Sequence, residues 1–225
     1  MSTVENEQQA PAKPARRRLG LLGAALDWRL NRLQEEYLRG SPLARAELAK
    51  LRRGLGKSAG SVPEIWDSTI AAVPTSLHGE DGFDDSEPSI AEQAAHATLT
   101  LFAAHQQSMS VRAHLSQVSF GRAVGNLAQS EGRSAEAVTR RFMAVATAQS
   151  ISEVLTHIRG LVTQLRTAKQ GFDYARLADD ITGLLTPGRA QQVRLAWGRE
   201  FYRTPAPSDV EPEPTPTLTI EKDPS

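Results

Sequence analysis

Residues 134–165 read SAEAVTRRFMAVATAQSISEVLTHIRGLVTQL, and this stretch decides the fold class. In its second half Ile151, Val154, Leu155, Ile158, Leu161, Val162 and Leu165 recur at the three- and four-residue steps of one α-helix face. Ser150 followed by Glu153 writes a capping box at the start of that helix, because the hydroxyl can accept an otherwise unpaired amide while the carboxylate reaches back. In the first half Val138, Phe142 and Val145 form a shorter seam of the same period. Two amphipathic helices in tandem are thus expected to pack together, with arginines along their margins. Arg159 and Arg166 lie two turns apart and share one flank of the second stripe, Arg141 borders the first seam, and Arg140 points away from it. The stretch predicts a helical scaffold that displays cations, rather than a catalytic cleft.

The same period extends in both directions. A first helix is expected from about Leu22 to Leu38, with Leu26, Leu30, Leu33 and Tyr37 on one face. Ser41 and Pro42 then open a second, serine as N-cap and proline at the first helical position, with Leu43, Leu48, Leu51 and Leu55 as its apolar side. Its last turn carries Arg52 and Arg53, where cations suit the helix dipole. Pro63 starts a short helix that turns Ile65, Trp66 and Ile70 inward. A capping box of Ser89 and Glu92 opens a helix to Gln107 that is small or apolar nearly all round, as in a buried bundle element. Ser119 caps a short helix carrying Arg122, and Asp173 or Gly171 starts another with Leu177, Ile181, Leu184 and Leu185 inside. Thr186 and Pro187 are expected to cap the last helix, with Val193, Trp197 and Phe201 inward and Arg194, Arg199 and Arg203 outward. Nothing alternates with a period of two, so the expected fold is all-α, about eight helices. The expected division is a disordered basic arm (1–18), an N-terminal helical unit (19–73), an acidic loop (74–88), a C-terminal helical bundle (89–203) and a disordered tail rich in proline and acid (204–225).

Composition limits the function classes. The chain of 225 residues has no cysteine, which excludes disulfides and thiolate metal sites. No run of eighteen apolar residues occurs, so no membrane span is expected. The opening RRRLGLLGAAL is interrupted by Asp27, Arg29 and Arg32, which argues against a signal peptide and for a cytoplasmic protein. The formal net charge of zero hides a segregation. Between Leu19 and Arg203, leaving out residues 79–92, there are 21 Lys+Arg against 13 Asp+Glu, an excess of eight positive charges. Residues 79–92 hold six acids and no Lys or Arg, and the tail holds five acids against Lys222 alone. Such a body suits a polyanionic partner, and its cations are mostly arginine, the side chain fitted to bidentate phosphate contacts.

Catalytic and cofactor signatures are missing: no glycine-rich phosphate loop, HExxH, GxSxG or cysteine nucleophile is present. His96, His105, His114 and His157 show no ligand spacing, and the adjacent Asp179 and Asp180 project about 100° apart on a helix and chelate poorly. Asp81, Asp84 and Asp85 lack the glycine and terminal glutamate of an EF-hand loop. The expectation is no metal, no cofactor and no enzyme activity.

Six fragments in order carry a family resemblance: LAKLRRGLG (48–56), VSFGRAVGNLAQ (118–129), TRRFMAV (139–145), HIRGLVTQLR (157–166), FDYARLADDI (172–181) and VRLAWGREFY (193–202). With this order and spacing the chain resembles the CasB family, small subunits of the type I-E CRISPR surveillance complex called Cascade. The resemblance implies a non-catalytic helical protein that sits, with a second copy of itself and the other Cascade subunits, along the guide RNA and the opened target DNA, target and displaced strands alike, and stabilises the R-loop in antiviral defence. Carried over position by position, the nucleic-acid-binding cations are Arg52, Arg53, Arg122, Arg140, Arg141 and Arg159. Face geometry adds Arg166, Lys169, Arg194 and Arg199. With guide pairing reading the sequence, such a subunit need only hold backbones. The competing readings are a helix-turn-helix DNA-binding regulator, built from residues 119–129 and the helix after Ser134, and a purely structural helical adaptor. Against the first, the second helix offers Met143, Val145 and Ala146 where base-reading polar groups are needed.

Overall fold

The computed structural model describes residues 18–77 and 87–203. The expected tail, all of the arm before Arg18 and most of the acidic loop lie outside them. Nine α-helices form among the described residues: α1 (Leu21–Leu38), α2 (Pro42–Arg53), α3 (Trp66–Thr69), α4 (Ile90–Gln106), α5 (Phe120–Ala128), α6 (Ala135–Thr147), α7 (Ile151–Thr167), α8 (Tyr174–Leu185) and α9 (Ala190–Phe201). There is no strand among them, only an isolated bridge between His114 and Phe172. The all-α expectation holds, with nine helices rather than about eight.

Two helices act as hubs. α4 buries residues on every side, from Ala91 to Gln106, and packs against α2, α7 and α8. α8 takes α1 on one side and α9 on another, while α5 joins α9 to α6 and α6 pairs with α7. One apolar core runs through all of this, from Leu22 and Leu48 to Phe142, Ile158 and Trp197, so helices from both sides of the acidic segment share it.

The N-terminal signals in the sequence are used as serine and aspartate chemistry dictates. The hydroxyls of Ser41, Ser119, Ser134 and Ser150 and the carboxylate of Asp173 each accept an amide of the first turn of their helix. At α4 the box is complete: Ser89 Oγ accepts the Glu92 amide at 3.2 Å and Glu92 Oε2 accepts the Ser89 amide at 2.8 Å. At α7 the glutamate reaches one residue further, Glu153 Oε2 accepting the Gln149 amide at 2.8 Å.

Three details differ from the sequence reading. α9 starts at Ala190 without a side-chain cap, because the Thr186 hydroxyl donates backward to the Thr182 carbonyl at 2.7 Å. Leu43 is 81% exposed, since α2 buries Ala44, Leu48 and Leu51 and Leu43 stands one residue off that stripe. Trp66 is 46% exposed, because α3 is a single turn and the indole lies outside it, donating Nε1–H to the Gly60 carbonyl at 2.8 Å.

Close packing of α5 on α9 depends on Gly121 and Gly125, one turn apart. A Cβ at Gly121 would collide with the Trp197 carbonyl, and one at Gly125 would lie 2.5 Å from the Phe201 carbonyl. Phe120 then meets Trp197 edge-on, centroids 5.1 Å apart, and Phe142 of α6 stacks on Phe201 at 4.3 Å.

Candidate nucleic-acid interface

The cations singled out in the sequence fall into two groups, free and engaged. Among the described residues, Arg52, Arg122, Arg140, Arg141, Arg159, Lys169 and Arg199 have no carboxylate partner. Arg140 and Arg141 are exposed because α6 turns Val138, Phe142 and Val145 inward and these two lie outside that stripe. Arg159 is exposed on α7 and extends over the turn after α2, so that a Cβ at Gly56 would sit 3.5 Å from its Nη1. That turn follows Arg53, the last residue of α2, and contains Lys57, also exposed and without an ion pair among the described residues. Arg52 and Arg122 are half-buried on α2 and α5. Lys169 follows α7 with φ 54°, and Arg199 is exposed near the end of α9.

The other three are held internally. Arg53 pairs with Glu64 at 2.5 Å, although both stay well exposed. Arg166 donates to the Ala104 carbonyl at 3.2 Å, in the last turn of α4, where a cation offsets the negative helix end. Arg194 corrects the outward expectation: it is half-buried and donates Nη2–H to the Ala148 carbonyl at 2.7 Å, closing the C-terminus of α6. That Arg194 lies off the inward positions Val193, Trp197 and Phe201 is visible in the sequence, whereas the α6 terminus that captures it belongs to the tertiary fold. Lys57 is the cation that helical periodicity passes over, since it lies in a turn.

Asp27, His114 and Asp173 bring their ligand atoms within 4.8 Å of one another, a grouping that the spacing in sequence hides. Each of the three side chains is engaged in hydrogen bonds of the fold. Asp173 accepts the Gln117 amide at 2.7 Å and the Arg176 amide at 2.9 Å. His114 Nδ1 accepts the Tyr174 amide at 3.1 Å, which leaves the proton on Nε2 to be donated to Asp27 Oδ1, 3.1 Å away. Burial pushes the His114 pKa down, and the two carboxylates only partly offset it. The cluster ties α1 to the segment before α8.

The arrangement can therefore hold phosphates on exposed guanidinium groups that have no carboxylate partner among the described residues. No curated protein sequence matches the chain. CasB from Thermobifida fusca is 36% identical, covering 83% of this chain and 100% of that one with a TM-score of 0.68. A CRISPR-associated protein of the Cse2 family from Thermus thermophilus is 25% identical over 80% of this chain and 97% of that one, TM-score 0.57. A chain of a CRISPR RNA-guided surveillance complex, 20% identical over 80% of this chain and 92% of its own, shares the fold at a TM-score of 0.61. The profile of the CRISPR-associated protein Cse2 family matches residues 47–202, from within α2 to the end of α9, and the chain belongs to that family.

Proposed function

We propose that this protein is a non-catalytic, cytoplasmic subunit of a type I-E Cascade complex, and that it stabilises the R-loop by holding guide RNA and target DNA backbones without sequence preference. It would act beside the other Cascade subunits and a second copy of itself. The observation that carries this reading is the set of unpaired exposed cations, Arg140, Arg141, Arg159 and Arg199 foremost, on a scaffold of the Cse2 family. Guanidinium groups facing water with no internal carboxylate contribute nothing evident to folding and are available for phosphate. A dedicated single-strand binder usually adds aromatic platforms, and here Phe120, Phe142, Phe172, Trp197 and Phe201 are buried, while the exposed rings of Trp28, Trp66 and Tyr202 stand on α1, on α3 and just after α9. Binding by the isolated chain should then be weak, and tethering within a complex would raise it.

The test is co-purification. The tagged chain, expressed with the other Cascade proteins and a guide RNA from the same source, should migrate with the ribonucleoprotein on a sizing column. Retention should strengthen when target DNA is added. Separate migration at both low and moderate salt would refute the assignment.

A further inference from the structure

A cavity of about 510 Å³ opens where the turn after α2 meets α4 and α7. That volume lies within the roughly 300–1,000 Å³ of small-ligand pockets. Its walls are largely apolar, with Leu55, Leu101 and Leu155 among them, and Lys57 and Arg159 both line it. Glu87 contributes one carboxylate, so the three charged side chains sum to one positive charge. The first turn of α7 also lines it, adding the positive end of that helix dipole.

Among these walls lies one buried polar side chain with an unmet demand. His96 is 4% exposed and its Nε2 stands 3.0 Å from the Gly54 carbonyl, an acceptor only, so Nε2 carries the proton. Nδ1 is then a buried acceptor, and it has no hydrogen-bond partner. Burial lowers the His96 pKa and keeps the ring neutral, although the Gly54 and Lys57 carbonyls beside it oppose the shift. An unsatisfied acceptor in apolar surroundings is costly, and a ligand bearing an N–H would relieve it. A flat apolar body with an N–H edge and an adjoining phosphate is the description of a nucleotide.

We propose that this cavity receives one nucleotide of a bound single strand, its base between α4 and α7 with an N–H toward His96 Nδ1, and its phosphate at Lys57 and Arg159. The proposal rests on the nucleic-acid reading above and deepens it, because it adds a base-holding position to a surface that otherwise holds only backbone. The recognition is of an unstacked nucleotide, whose extrusion from a strand is cheapest where the strand is already single.

The experiment uses the full chain and an otherwise abasic oligodeoxynucleotide carrying a single 2-aminopurine, the one base on the strand, whose exocyclic amine supplies the N–H. Anisotropy reads affinity and acrylamide quenching reads whether the base is enclosed. The bound wild-type protein should lower the quenching constant about threefold or more, as expected when most of a ligand's surface is buried. Thr156→Trp and Ser152→Trp place an indole at two exposed positions lining the cavity, so folding should survive. Each should abolish the shielding while changing affinity by less than about threefold, since most phosphate contacts remain. Arg140→Glu with Arg141→Glu should do the reverse, lowering affinity yet leaving shielding intact at saturation. Binding without shielding, or shielding that survives in both tryptophan variants, would overturn the pocket and leave the backbone-binding reading standing. No binding at all would remove both. In a parallel titration dAMP alone should bind more weakly than the strand; equal affinity would make the free nucleotide the occupant and overturn the assignment to a strand.

Discussion

Asp179 shows how a single side chain can join two ends of a chain. α1 begins after Gly20, which has no side chain to cap it, and the need is met from α8. Asp179 Oδ2 accepts the Gly20 amide at 2.6 Å and Oδ1 the Gly23 amide at 2.9 Å. A carboxylate at a helix N-terminus gains from both hydrogen bonds and dipole, so Asp179→Ala should lower stability by about 1–2 kcal/mol in urea unfolding. An unchanged midpoint would show that α1 docks through its leucines alone. His105 gives a second residue-scale expectation. Burial, with the Arg166 charge adding to it, pushes its pKa from 6.5 down to about 4, against a smaller opposing effect of the Gln170 carbonyl. The ring sits against the Tyr174 hydroxyl, Nδ1 2.9 Å from it. The unfolded chain takes up the proton near pH 6.5 and the folded chain only near 4, so the unfolded state binds more protons in between. The neutral ring's contribution is therefore complete above pH 6.5 and is lost as pH falls toward 4, to a limit of about 3 kcal/mol. His96 and His114, both shifted down by burial, act in the same direction. Urea unfolding between about pH 7 and 4.5 should show a shallower loss in His105→Phe than in the wild type; parallel curves would contradict the assignment.

At the scale of elements, α6 displays two guanidinium groups that the fold does not use. Arg140 and Arg141 lie outside its buried stripe and have no ion pair among the described residues. Reversing both charges should leave the melting temperature nearly unchanged, since exposed positions without partners tolerate substitution. Affinity for single-stranded DNA should fall about tenfold or more, and the log–log salt slope, near −3 for about four contacts, should lose about 1.4. A purely structural adaptor predicts no change in either, and a duplex reader predicts a preference for one operator. Six helix starts were legible in the sequence because each is written twice, by an apolar stripe and by a cap such as Ser89 with Glu92 or Asp173. The sequence reading failed where a partner from elsewhere overrode the local pattern. Thr186 bonds backward rather than forward, Arg194 is captured by the end of α6, and Trp66 has too short a helix beneath it to be drawn inward. The link between Asp27 and His114 joins residues 87 positions apart, and no periodicity reports that.

For the whole molecule, charge is distributed as though the body and its flanks had separate tasks. The folded region from Leu19 to Arg203, leaving out residues 79–92, carries eight more cations than anions. The 22 residues after Arg203 carry five acids and one lysine. The tail follows Arg203 in sequence, two residues after Phe201, and such a tether predicts that its acids compete with phosphate for Arg199 and the other exposed cations. Such competition is electrostatic, so salt should weaken both sides of it. Truncation after Arg203 removes four net negative charges (five acids less one lysine) without touching the core, which ends at Phe201. The truncated protein should bind single-stranded DNA severalfold more tightly at low salt, on the order of one phosphate contact's worth, with the advantage shrinking as salt rises. A synthetic peptide of residues 204–225 added in trans should reverse the gain only at concentrations far above that of the protein, because the tether is lost. Equal affinities of the two forms at low salt would show that the acids never meet the basic face, and the segregation of charge would then serve solubility rather than binding.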